Sequence, residues 1–213
     1  MKIRNLMIII LMILMTFGCT KLNLARNYFI LDYNPIIENP KLSLAKPFPY
    51  SVQVVDSRMP RTYDRSQIVI RYSAHKLSYS SQNIWAVRLS YLIPDLINKQ
   101  IKSYNIFAQT QREYLEDRPD YEIITYVNRV EMFKNEYYTA AHLSMDYYLR
   151  KSDSHDDLIK YSFDIEKQIS QEGMDIFAKK ISNLLKEQTD IFLVKTIDYF
   201  QSLEKKKIKV KKK

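Results

Sequence analysis

Glycine is nearly missing from this chain. Two occur in 213 residues, and Gly18 sits at the end of an N-terminal apolar run, so Gly173 stands alone in the rest. A P-loop or a dinucleotide-binding fingerprint cannot be written with one glycine, and neither can a Gly-x-Ser-x-Gly nucleophile elbow. Turns that require a positive φ must fall to Asn and Asp instead. Cysteine is scarcer still. Cys19 is the only one, which excludes an intramolecular disulfide and leaves stability to burial. The three histidines, His75, His142 and His155, have no metal-ligand spacing to one another or to the cysteine. These absences point away from an enzyme and predict neither a cofactor nor a metal.

What the N-terminus does have is a pattern. Lys2 and Arg4 precede an uncharged apolar stretch from Leu6 to Phe17, which closes on Gly18-Cys19. A positive start, a short apolar core and a small residue at the cut are the marks of a secretory signal. The stretch falls short of the roughly 20 apolar residues a spanning helix needs. The sole cysteine directly after the small residue predicts a lipoprotein signal over residues 1–18, with Cys19 acylated and residues 19–26 as the lipid tether. Thr20 after the cysteine, rather than Asp, favours the outer membrane.

The formal net charge of +9 is unevenly held. The signal carries two basic residues, and the C-terminal block carries seven: Lys205, Lys206, Lys207, Lys209, Lys211, Lys212 and Lys213. Removing them leaves 24 basic residues against 24 acidic ones over residues 19–204, so the globular body within that span, residues 27–203, carries almost no net charge. The lysine-rich tail, residues 204–213, is expected to be solvated and to meet an anionic surface, either lipid head groups or an acidic partner. Nucleic acid does not suit an exported protein.

Hydrophobic periodicity organises the body. Strands are predicted at 27–33, 51–56, 68–72 and 76–80, with a four-proline spacer over 34–49 and a turn at 73–75. Trp85, Leu89, Leu92, Ile93, Leu96, Ile97 and Ile101 then share one helical face. Ser81 is the expected N-cap, and Pro94 demands a kink or a late start. After a strand at 105–109, residues 121–133 read as extended. Residues 137–150 alternate strictly, and 159–165 repeat that pattern after a polar turn at 151–157. Asp153-Ser154-His155-Asp156-Asp157 reads as this solvated turn rather than a chelate. A final helix follows Gly173, with Phe177, Ile181, Leu184, Leu185 and Ile191 or Phe192 inward, and fades into the lysines. The 17 tyrosines and 9 phenylalanines are assigned to packing. The expected class is α+β: one mixed or antiparallel sheet, an antiparallel meander in its second half, covered by two long helices.

One stretch adds more. Asp64, Arg65, Gln67, Ile68, Val69 and Arg71, followed by Leu77, Trp85, Ala86 and Leu89, resemble the conserved blocks of the ABC-type transport auxiliary lipoprotein family. Tyr28-Phe29-Ile30-Leu31 is similar to that family's first strand. Thr62, Tyr63, Ser66, Ile84, Val87 and Arg88 depart from its pattern. The resemblance implies a non-catalytic, lipid-anchored subunit of an MCE-type system moving lipid between two membranes and facing the periplasm. An MCE-domain protein would be its partner, with phospholipid as a further ligand and a second copy of the chain as a further contact. Asp64, Arg65, Gln67, Arg71 and Trp85 become the candidate partner-binding residues. Asp64 and Arg65 could equally cap a turn, and Trp85, at the head of an apolar helical face, is expected to pack in the core rather than stack on a ligand. A surface adhesin is the competing class.

Overall fold

The computed structural model describes residues 25–114, 117–170 and 173–211. The signal, Cys19 and most of the tether lie outside the described residues, as do Lys212 and Lys213. The fold is α+β, a single open mixed sheet of eight strands and two helices. In chain order these are β1 (Asn27–Phe29), β2 (Phe48–Val54), β3 (Gln67–Ser73), β4 (Lys76–Trp85), α1 (Leu89–Tyr104), β5 (Phe107–Gln111), β6 (Tyr121–Lys134), β7 (Thr139–Lys151), β8 (Asp157–Ile169) and α2 (Met174–Lys211).

The meander β6-β7-β8 is antiparallel throughout, as strict alternation over long runs requires. The other edge of β6 is shared. Its first residues pair with β2 in parallel, Val52 opposite Tyr121, and its last pair with β3, Ile70 opposite Met132. The sheet therefore forks along β6: one branch continues to β5, the other through β4 to β1.

The first helix starts later than its apolar spacing suggests. Trp85 is the last residue of β4, opposite Phe29 of β1. Its N–H donates to the Ser66 carbonyl at 2.7 Å, and the Ala86 N–H donates to Phe29 at 2.7 Å. Those bonds keep the backbone extended, so Ser81 caps nothing and α1 begins at Leu89. Pro94 nonetheless lies inside α1. Proline cannot donate to the carbonyl four residues back, and that carbonyl, on Ser90, instead accepts the Ser57 N–H at 2.9 Å. Asn105 closes α1 in the left-handed region at φ 53°, and His155 takes φ 59° in the β7–β8 turn. Polar side chains thus supply the conformations for which glycine is lacking. In that turn Arg150 holds Asp157, Lys151 holds Asp153, and Ser154 donates to Asp156.

Both helices cover one face. Phe177, Ile181, Leu184, Leu185, Phe192, Leu193, Ile197 and Phe200 of α2 are buried, while Ile191 is exposed. Gln100, fully buried on α1, accepts from the Tyr33 hydroxyl at 2.7 Å and donates to Asp190 of α2 at 2.6 Å, tying three segments together. The helix does not fade before the lysines but runs through Lys211. Among the described residues no helix is long and apolar enough to cross a membrane.

Candidate functional site: a polar cluster beneath an exposed connection

On β7, Tyr147 points toward α2, its ring 5.0 Å from that of Phe192. His142 has the opposite parity and so faces away from the helices. Opposite it on β6 is Glu131, whose side chain is wholly buried. A buried carboxylate is costly unless it is paired and hydrogen-bonded. Two elements supply partners. Arg71 of β3 donates from Nε to Oε1 of Glu131 at 2.6 Å. Tyr63, in the connection between β2 and β3, drops its ring onto the sheet and donates to Oε2 at 2.6 Å. Arg71 Nη2 also reaches the Tyr63 hydroxyl at 3.2 Å, closing a triangle. His142 flanks it, Nδ1 3.8 Å from Glu131, with Nε2 bonded to Asp164 of β8.

Electrostatics follow from this burial. Burial, reinforced by the bond to Glu131, pushes the Tyr63 phenol up to about 12, and burial, with the nearby Tyr50, Tyr199, Asp120 and Asp153, takes Tyr121 to about 12. The bond to Glu131 raises the Arg71 guanidinium above its already high value. The sign of the consequence is fixed. An acid whose folded pKa exceeds its unfolded one keeps its proton longer in the native state, so stability is intact below the ordinary value of 10 and is lost as pH climbs from 10 to 12. Chemical denaturation at stepped alkaline pH should show a declining midpoint across that window, with Tyr63 and Tyr121 ionising only as the protein unfolds. A full set of tyrosines ionising near 10 in the folded protein would contradict it.

Above the cluster lies the surface that the motif singles out. The connection turns at Pro60, whose carbonyl accepts from both Tyr63 and Asp64. Asp64 is exposed and accepts from Ser90 Oγ, in the first turn of α1, at 3.3 Å. Arg65 is half-buried, its guanidinium 3.7 Å from the centre of the Tyr79 ring, and it donates from Nη2 to Arg61 at 3.3 Å. Gln67 is exposed at the start of β3. The candidate residues therefore divide. Asp64, Arg65 and Gln67 share one accessible connection. Arg71 is occupied by Glu131, with a fifth of its side chain exposed. Trp85 is 3% exposed and packs on Phe177, 5.9 Å between rings. It serves the core, on the opposite side of the sheet, and offers a partner nothing.

Glu131 and its contacts to Tyr63 and His142 escape a sequence reading. The available signal was an acidic residue set between Val130 and Met132, which must find a cation or a donor if it is buried. Among the lysines of the C-terminal block, Lys205 and Lys206 are exposed at the end of α2.

The sheet, the polar cluster on one of its sides and the solvent-exposed connection above that cluster make up a single α+β module. The model of the ABC-type transport auxiliary lipoprotein component family matches residues 38–190, and the chain belongs to that family. It is thereby an auxiliary lipoprotein component of a transport system, a cell-envelope protein with transporter partners, and the family is not a known enzyme family. Among solved structures, the chain is similar to protein XCC0632 from Xanthomonas campestris, with a TM-score of 0.70 at 17% identity over 84% of this chain and 99% of that one. An uncharacterised protein gives 0.63 at 14% identity, covering 81% and 99%. At such identities the likeness is one of fold. No curated protein matches the chain.

Proposed function

We propose that this protein is a lipid-anchored, non-catalytic subunit of an MCE-type intermembrane lipid transport system. Acylated Cys19 would hold it to the outer membrane, its body would face the periplasm, and its surface at Asp64, Arg65 and Gln67 would contact the MCE-domain protein. The observation that carries this is the family match over residues 38–190, a span that contains the connection and the strand behind it. A scaffolded loop is where binding groups are commonly displayed, and an arginine there can grip a carboxylate in two-pronged fashion. Lys205 and Lys206 add a basic end to α2 that suits anionic head groups.

The test is recovery of partners from native membranes after crosslinking. Asp64→Lys combined with Arg65→Glu should reduce recovery of the MCE-domain protein by about tenfold or more if the contacts are desolvated. Stability should change by less than about 1 kcal/mol, the scale of one exposed cation–π contact. Cys19→Ser should abolish fatty-acid labelling and free the protein from membranes. An unchanged partner yield from the folded double variant would remove this surface as the interface. A wild-type protein that recovers no transporter subunit and is shaved from intact cells by protease would instead be a surface adhesin.

A further inference from the structure

The route of the N-terminal chain fixes which end of the body lies nearest Cys19. β1 is parallel to β4, with Asn27 opposite Asn83 and Phe29 opposite Trp85, so the chain enters β1 from the side of the β3–β4 hairpin. The ends of β3 and β6 lie on that same side, because Ile70 and Arg71 run parallel beside Met132 and Phe133. There too α2 begins: Gly173 and Met174 share a hollow with Tyr72 and Lys134. The lysine block stands at the opposite end. Lys205 lies 28 residues beyond Phe177 on α2 (177 to 205), or about 42 Å of helix. Trp85 joins the two scales, since it pairs with Phe29 and packs on Phe177. From Asn27 back to Cys19, eight residues (19 to 27) reach at most about 29 Å. An acyl group on Cys19 therefore attains the hairpin end and falls short of the lysines. We infer that the end formed by the β3–β4 hairpin, the β6–β7 turn and the first turn of α2 rests on the bilayer that holds the anchor.

The surface at that end suits a zwitterionic head-group layer. Two hollows of about 400 and 430 Å³ open there and share Tyr72 and Lys134. Ile70, Met132 and Met174 line the first, and Tyr137 lines the second. Tyr72 is 36% exposed and Tyr137 88%. Asn135 Oδ1 accepts from the Tyr137 and Tyr138 N–H groups at 2.8 and 2.9 Å, so the turn is held by its own bonds while the Tyr137 ring is left outward. Tyrosine, with an apolar body and a polar tip, collects at membrane interfaces. The charges beside these rings are mixed: Lys76 over the Tyr72 ring at 5.6 Å, with Lys134 and Glu136 around the second hollow. They give no preference for anionic lipid. Two rings alone would hold a bilayer weakly, but an anchor eight residues away makes the contact intramolecular, and a weak one then suffices. This orientation rests on the acylation of Cys19 proposed above. It also turns the Gln67 end of β3, with the Asp64–Gln67 connection, away from that bilayer, where a partner can reach it.

Single cysteines carrying an environment-sensitive fluorophore test it in the full acylated chain, where the lipid blocks the Cys19 thiol. The vesicles are phosphatidylcholine with a fraction of brominated phosphatidylcholine as quencher. Probes at Ala74→Cys and Tyr137→Cys should be quenched severalfold more than a probe at Ser202→Cys, and added salt should not change the difference. Ala74 and Tyr137 are exposed in turns and Ser202 is exposed on α2, so all three variants keep the fold. Quenching at residue 202 but not at 74 and 137 would reverse the orientation. Equal quenching at all three would lay the body flat on the membrane, and bright probes at all three would hold it clear of the lipid. Each of these results overturns the inference. The anchor, and this orientation with it, would fall if the mass of the purified chain lacked the fatty acid, a result read separately from the quenching.

Discussion

Replacing Arg71 with methionine should destabilise the protein by about 3–5 kcal/mol, the usual result of removing one member of a buried ion pair. Glu131 is wholly buried, and among the described residues Arg71 is its only fully charged direct partner at bonding distance. Without the guanidinium the carboxylate keeps one phenol and a histidine ring nitrogen at 3.8 Å, too far for a hydrogen bond. Urea titration would show an earlier midpoint. Adding Glu131→Leu to Arg71→Met should recover much of the loss, because the stranded charge goes with it, and this non-additivity separates a paired charge from mere packing. Arg65→Met should cost no more than about 1 kcal/mol, the value of its contact with Tyr79. Equal, small effects at both arginines would sink the argument. The consequence for mapping partners is practical. A joint reversal of Arg65 and Arg71, natural if both are exposed docking groups, would report on unfolding instead.

Phe200→Ala should be comparably severe, about 3–5 kcal/mol, as for other buried phenylalanines. The side chain is 1% exposed, and its ring meets those of Phe48, Tyr50 and Tyr121 at 5.1 Å, with Phe107 at 5.7 Å and Tyr199 at 5.4 Å. One residue near the end of α2 thus joins β2, β5 and β6. Truncation leaves a cavity whose walls belong to three elements, so collapse around it is hindered. Ile191→Ala, on the exposed face of the same helix, should change stability by less than about 0.5 kcal/mol beyond helix propensity. If Phe200→Ala proved as mild as Ile191→Ala, the C-terminal part of α2 would be detachable rather than part of the core.

The meander and the inner face of α2 were legible because each satisfies a single period over ten residues or more. Trp85 misled because it satisfies two. It lies four residues before Leu89 on a helical face, and it also falls on the buried end of a strand. Only the hydrogen bonds to Ser66 and Phe29 decide between them, and those partners are 19 and 56 positions away. The fork was illegible for the same reason: parallel pairing of β2 and β3 with β6 leaves no local trace. The Asp64–Arg71 block could be singled out from its motif, but whether each arginine faces solvent or a buried carboxylate depends on Glu131, 60 residues beyond Arg71. Pro94 lies inside α1 rather than at its start, and the Ser57 N–H that makes it tolerable there could not be foreseen.

The shared edge of β6 also sets an order of assembly. Every chain is made from its N-terminus, so β1 to β5 exist before the strand that unites their two branches. β6, β7 and β8 are sequential neighbours joined by short turns, and such local pairings close fastest. β2 and β3 must then return across 69 and 62 positions to find β6. Until they do, the first half of the chain holds strands with open edges, the state in which nascent proteins are most prone to associate wrongly. The C-terminal meander therefore acts as the template, and the half that carries the Asp64–Gln67 connection is the last to acquire its shape.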